Sequence, residues 1–94
     1  MTGPRISLVI PTHNRRALLA GCLAAAAAQD YPDYEIIVVD DASHDGTGEL
    51  VRDRFLQARY LRLETNQGPA AARNRGVEQA TGEIIAFTDD DCVL

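Results

Sequence analysis

Ile36-Ile37-Val38-Val39 is an unbroken apolar, β-branched run, closed at once by Asp40-Asp41. A strand with one wet face alternates apolar and polar residues, so a run with no polar member belongs inside a sheet covered on both sides, as the central strands of parallel sheets are. Three more short apolar runs, at residues 6–10, 60–63 and 83–87, complete the set. The segments between them have helical character. Residues 15–28 are dominated by alanine, the best helix former. A second helix is expected from Gly46 or Thr47 to about Phe55, with Ser43 or Asp45 as its N-cap. A third opens at Pro69, a residue favoured in the first helical turn, and stops at Thr81-Gly82. The tetrapeptide Asp30-Tyr31-Pro32-Asp33 reads as the turn after the first helix. Alternating strands and helices require right-handed crossovers. The prediction is an α/β fold: a parallel, Rossmann-like sheet with helices on both faces, four strands and three helices, incomplete as a domain.

In such a sheet the carboxyl ends of the strands share one rim, and ligands bind where the strand order reverses. The first strand delivers Pro11-Thr12-His13-Asn14 to that rim, the second Asp40-Asp41, and the fourth Asp89-Asp90-Asp91. Three polar clusters remote in sequence thus converge on one edge. Carboxylates packed as closely as the aspartate triplet repel one another unless they are solvated or share a cation. Asp89 and Asp91 can both serve one where the backbone turns. Hard oxygen ligands suit Mg²⁺ or Mn²⁺, and a nucleoside diphosphate brings oxygens of its own to complete the shell. The alternative is a solvated acidic turn or helix cap.

Asp41 can accept hydrogen bonds from a base N–H or a sugar hydroxyl; alternatively Asp40 or Asp41 builds the turn, and Asp45 reads as a turn residue. The loop from Pro11 to Asn14 lacks the G-x-G-x-x-G of dinucleotide sites and offers backbone groups to a planar base instead. His13 reads as a stacking or rim residue and His44 as a solvated loop residue. Asn66-Gln67-Gly68-Pro69 opens the third helix, whose N-terminus favours anions and whose first turns carry Arg73 and Arg75. Arg73 either meets the base or diphosphate or pairs with a structural carboxylate; Arg75 reads as structural.

The chain carries a net charge of −5, against a general nucleic-acid surface. It contains no lysine, which removes Schiff-base, P-loop and phospho-receiver lysine chemistries together. No apolar run approaches the ~20 residues of a membrane span. Cys22 and Cys92 read as small buried hydrophobes in a reducing compartment, in preference to a disulfide or metal pair. A cytoplasmic location follows, with peripheral attachment to the inner face of a membrane left open.

Taken together, the residues resemble the family 2 glycosyltransferases. The segments that carry the resemblance are residues 7–14 (SLVIPTHN), 35–43 (EIIVVDDAS), Asn66-Gln67-Gly68 leading to Ala72-Arg73-Asn74, and 82–91 (GEIIAFTDDD). Each is weak alone; four in this order are specific. The resemblance implies residues 1–94 as the nucleotide-sugar-binding half of a GT-A domain, ending just after the D-x-D motif. It implies Pro11, Thr12, His13, Asn14, Asp41, Arg73, Asp89 and Asp90 around a nucleoside-diphosphate sugar, and Asp91 with Asp89 on a divalent cation. Sugar transfer to an acceptor hydroxyl, with inversion, needs a general base that the family places downstream of the D-x-D. No catalytic residue is therefore expected within this chain, and the acceptor is not legible from it. A haloacid-dehalogenase-like reading of residues 89–94 would leave the other clusters unexplained, and a receiver-domain reading lacks its lysine. A non-catalytic nucleotide-binding module is the standing alternative.

Overall fold

The computed structural model describes residues 3–29, 31 and 33–91. The turn residues Asp30 and Pro32, and Cys92 with the dehalogenase-like Val93-Leu94, lie outside that set. Within it the order is β1 (Ile6–Thr12), α1 (Arg16–Ala27), β2 (Tyr34–Asp41), α2 (Thr47–Arg54), β3 (Ala58–Leu63), α3 (Pro69–Gln79) and β4 (Ile84–Phe87). All pairings are parallel and the strand order is β3-β2-β1-β4. The chain runs outward from β1 to β3, then returns across the sheet to place β4 on the other side of β1. The order therefore reverses between β1 and β4, the position at which open α/β sheets form ligand crevices.

The burial of each element follows from its pattern. In β2 every residue after Tyr34 is buried, as its apolar run requires. On α1, Leu19, Cys22, Leu23 and Ala26 recur at helical spacing and are buried. They pack with Ile10, Ile36, Val38 and Val51 on one side of the sheet. Val9, Ile37, Val39 and Leu63 face the other side, where Ala72 of α3 meets them. Helices thus cover both faces, as expected from the sequence. β1 runs two residues beyond its apolar stretch, because Pro11 and Thr12 keep pairing with Val39 and Asp40. At the β4 edge, Ile84 and Phe87 are 46% and 50% exposed.

Gly76 sets how closely α3 can approach. A Cβ there would lie 2.4 Å from Val9 Cγ1 and 3.2 Å from Val39 Cγ2, so the helix rests on the sheet through a bare backbone. At the opposite end from the rim, buried Glu35 accepts from Ser7 Oγ (2.6 Å), from Thr81 N (2.7 Å) and from Thr81 Oγ1 (2.9 Å), and pairs with Arg59 (3.4 Å) and Arg5 (3.8 Å). Ser7 Oγ also accepts from Gly82 N at 2.8 Å, so this network seats the α3–β4 connection on β1 and β2.

Candidate functional site

A cleft of about 550 Å³ opens on the carboxyl rim, lined by Pro11, Thr12, His13, Arg15, Asp41, Asn66, Gly68, Pro69, Ala72, Arg73, Asp89, Asp90 and Asp91. Of the residues expected at the site from sequence, all but Asn14 line it. Asn14 stands just behind. It adopts the left-handed conformation at φ 51°, its N–H donates to Ser43 Oγ at 2.8 Å, and its Oδ1 accepts from His44 N at 2.7 Å. This stitches the loop after β1 to the loop after β2. Asp45 adds a second stitch, taking Arg16 N at 3.0 Å and the Thr47 hydroxyl at 2.5 Å. Burial pushes the Asp45 carboxyl upward, but these hydrogen bonds outweigh it and hold the group below its ordinary range. Asp45 thus does the capping work while Gly46 occupies the N-cap position itself.

The two adjacent aspartates of β2 divide their tasks. Asp40 is buried and builds the turn: it accepts from Ser43 N at 2.9 Å and from the Tyr60 hydroxyl. Burial, reinforced by that bond, raises Tyr60 well above the ordinary tyrosine value, so its hydroxyl stays protonated and donates. Between Asp41 and Ser43 the chain reverses through Ala42 at φ 60°, a conformation that costs a non-glycine residue on the order of 1 kcal/mol. Asp41 lies on the cleft wall, and its two oxygens accept from Gln67 N at 2.7 Å and Gly68 N at 2.8 Å. The residue therefore anchors the loop that leads into α3.

His13 Nδ1 lies 2.5 Å from the carbonyl oxygen of Asp41. A carbonyl only accepts, so Nδ1 carries a proton, and Nε2 faces the two asparagines of the rim. Asn66 Nδ2 reaches that nitrogen at 3.1 Å and Asn14 Nδ2 at 3.2 Å. The ring is thereby locked at the rim.

The acidic turn after β4 is less uniform than its sequence. Asp90 is 5% exposed, accepting from Thr12 Oγ1 at 2.8 Å and from Arg15 Nη1 at 3.2 Å. Asp91 is half-exposed and meets the same Arg15 nitrogen at 3.6 Å. The Asp89 carbonyl accepts from Cys22 Sγ at 3.5 Å, while among the described residues no hydrogen bond or ion pair engages its carboxylate. Arg73 likewise lines the cleft with no hydrogen bond or ion pair on its side chain among the described residues. Arg75 pairs with Glu78 one turn along α3, on the exposed surface. Asp89 and Asp91 are hard-oxygen donors with unused lone pairs beside a cleft. Among the described residues no group of three His, Cys, Asp or Glu side chains converges to enclose a cation. A Mg²⁺ or Mn²⁺ ion held by these two carboxylates would have to take the rest of its shell from phosphates and water.

Sequence reasoning missed Arg15 as a site residue. It sits directly after His13-Asn14, but its place opposite the triplet depends on β4 lying beside β1. Asn66, Gly68, Pro69 and Ala72 were legible as a helix start but not as a wall.

A parallel sheet of this order, with a polar cleft at its switch point, is a Rossmann-like fold, and its match to solved glycosyltransferases makes it the GT-A form. The chain belongs to the family described as glycosyl transferase family 2, whose model matches residues 7–94. Glycosyltransferase AglE of Haloferax volcanii is 43% identical over 96 residues, covering 97% of this chain and 32% of AglE. The mannosyltransferase PcManGT from Pyrobaculum calidifontis, solved in complex with GDP-Man and Mn²⁺, superposes with a TM-score of 0.87 at 36% identity, over 96% of this chain and 28% of its own. TarS 1-349 of S. aureus, solved in complex with UDP-GlcNAc, gives 0.86 at 36% identity, over 93% of this chain and 26% of its own. The chain spans about a third of the length of several curated relatives it matches and about a sixth of others.

Proposed function

We propose that residues 1–94 form the donor-binding half of a glycosyltransferase that moves a sugar from a nucleoside diphosphate to an acceptor hydroxyl, with inversion at the anomeric carbon. The observation that carries this reading is the single cleft in which Asp41, Arg73 and the Asp89–Asp91 turn meet at the β1/β4 switch point. That PcManGT was solved with GDP-Man and Mn²⁺, and TarS with UDP-GlcNAc, supports the same ligand class.

In this reading Pro11, Thr12, His13, Asn14, Asp41, Arg73, Asp89 and Asp90 serve the donor, and Asp91 with Asp89 holds a divalent cation. Their contributions differ in kind. Pro11 and the locked His13 ring form the wall for the base. Asp41 and Asn14 act through the loops they hold, and Thr12 with Asp90 fixes the acidic turn relative to β1. Arg73, uncommitted among the described residues, is the group available to the base or the diphosphate. When bound, the cation offsets charge developing on the departing diphosphate. None of these residues is assigned as the general base, so sugar transfer is a property of the whole enzyme.

The test is calorimetric titration of the chain with UDP and with GDP, each with and without Mn²⁺, repeated on Asp91→Ala. Metal-dependent nucleotide binding that Asp91→Ala abolishes is the expected result. Nucleotide binding indifferent to both metal and Asp91 would leave the non-catalytic module as the better description.

A further inference from the structure

We propose that Arg15 is a built-in counter-cation of the acidic turn, which cedes Asp91 to the divalent cation as the diphosphate enters and so couples metal binding to nucleotide binding. The inference rests on the donor-site reading above.

Three consecutive carboxylates need positive charge close by. Among the described residues, the one basic side chain within ion-pair distance of the triplet is Arg15, whose Nη1 touches Asp90 at 3.2 Å and Asp91 at 3.6 Å. These two contacts are unlike. The Asp90 side chain is 7% exposed, and its second oxygen is held by Thr12. The Asp91 side chain and that of Arg15 are each 51% exposed. An ion pair between two exposed side chains is weak and easily exchanged, whereas a buried carboxylate holds its partner. Arg15 therefore has a fixed end on Asp90 and a replaceable contact on Asp91.

A divalent cation at Asp91 would stand within a few ångströms of this guanidinium, and like charges at that range repel. Without an anion in the cleft, the metal must displace Arg15 from Asp91 and stand beside its charge, which weakens metal binding. With a diphosphate present, the guanidinium can keep Asp90 and turn its remaining N–H donors toward phosphate oxygens, since it carries five donors in a fixed fork. The cleft it lines is where those oxygens would lie. Metal and nucleotide then favour each other's binding, and the coupling resides in Arg15.

The experiment measures Mn²⁺ binding by calorimetry or by the electron-spin-resonance signal of free Mn²⁺, with and without saturating UDP. It compares the wild-type chain with Arg15→Gln and Arg15→Lys. Arg15→Gln is expected to bind Mn²⁺ alone about three- to tenfold more tightly, and to lose a similar factor from the enhancement that UDP confers. Arg15→Lys keeps the charge and should stay within about twofold of wild type on both measures. A purely structural role would weaken binding in both conditions. Arg15→Gln binding Mn²⁺ alone no more tightly than wild type, with both binding it when UDP is present, overturns the inference and leaves the donor site standing. No Mn²⁺ binding by the wild type even with UDP overturns the donor site, and the inference with it.

Discussion

Asp41 shows how little a residue's type says about its task. Its position after an apolar strand marks it as a rim carboxylate, yet both oxygens are spent on the N–H groups of Gln67 and Gly68. A hydrogen bond to a charged acceptor is among the stronger ones a protein makes, and removing the acceptor strands its donors. Asp41→Ala is expected to cost about 2 kcal/mol in urea unfolding, with Asp41→Asn recovering less than half because its NH₂ faces one of the two donors. An unchanged midpoint for Asp41→Ala would show that the loop before α3 holds itself. Asp40, identical in type and adjacent, differs only in the side of the strand it faces, and there it meets Ser43 and Tyr60. Alternation along the strand, not chemistry, separates the two roles.

At the scale of elements, α3 joins core to site, since Ala72 and Gly76 are buried against the sheet while Pro69 and Arg73 line the cleft. Alanine is better than glycine inside a helix by about 1 kcal/mol, so propensity alone favours Gly76→Ala. Overpacking a closed interface costs about 1–3 kcal/mol, and the 2.4 Å approach to Val9 leaves the new methyl no room. With the methyl given no room the clash wins: Gly76→Ala should destabilise the chain by up to about 2 kcal/mol, read as a lower urea midpoint at unchanged slope. A rise in midpoint would mean α3 can lift off the sheet at no cost. The helix start at Pro69 was legible because proline there has a local cause. The approach distance was not, because it is decided by Val9 and Val39 on two other elements.

For the molecule as a whole, the two ends of the sheet carry opposite kinds of polar network. Among the described residues the carboxyl rim leaves the side chains of Arg73 and Asp89 uncommitted and Asp91 loosely paired, while the other end buries Glu35 among Ser7, Thr81, Arg59 and Arg5. Burial pushes Glu35 upward, but hydrogen bonds from Ser7, Thr81 and Arg59 outweigh it and take the carboxyl from an ordinary 4.5 down to about 2. A depressed folded-state value stabilises the fold where the unfolded chain is also ionised, above about pH 4.5, and that contribution drains away as pH falls toward 2. Wild type should therefore lose on the order of 2 kcal/mol more than Glu35→Gln across that interval, measured by urea unfolding at stepped pH. Parallel acid profiles for the two proteins would remove Glu35 from the account of acid stability.

The sequence by itself determined the kind of structure and the place of its site. Strand periods, helix formers and a proline at a helix start are local physics, and they were sufficient for four strands, three helices and a polar rim with two acidic clusters. Local spacing even determined that Asp89–Asp91 would stand at a strand end. What only the tertiary structure decided is who meets whom. Arg15 and Asp90 are 75 residues apart and touch because β4 pairs with β1. Asp41 reaches Gln67 because α3 begins above β2. Strand order depends on summed side-chain packing across the sheet, in which no single residue carries the information, so the partners of each rim carboxylate follow from the assembled fold.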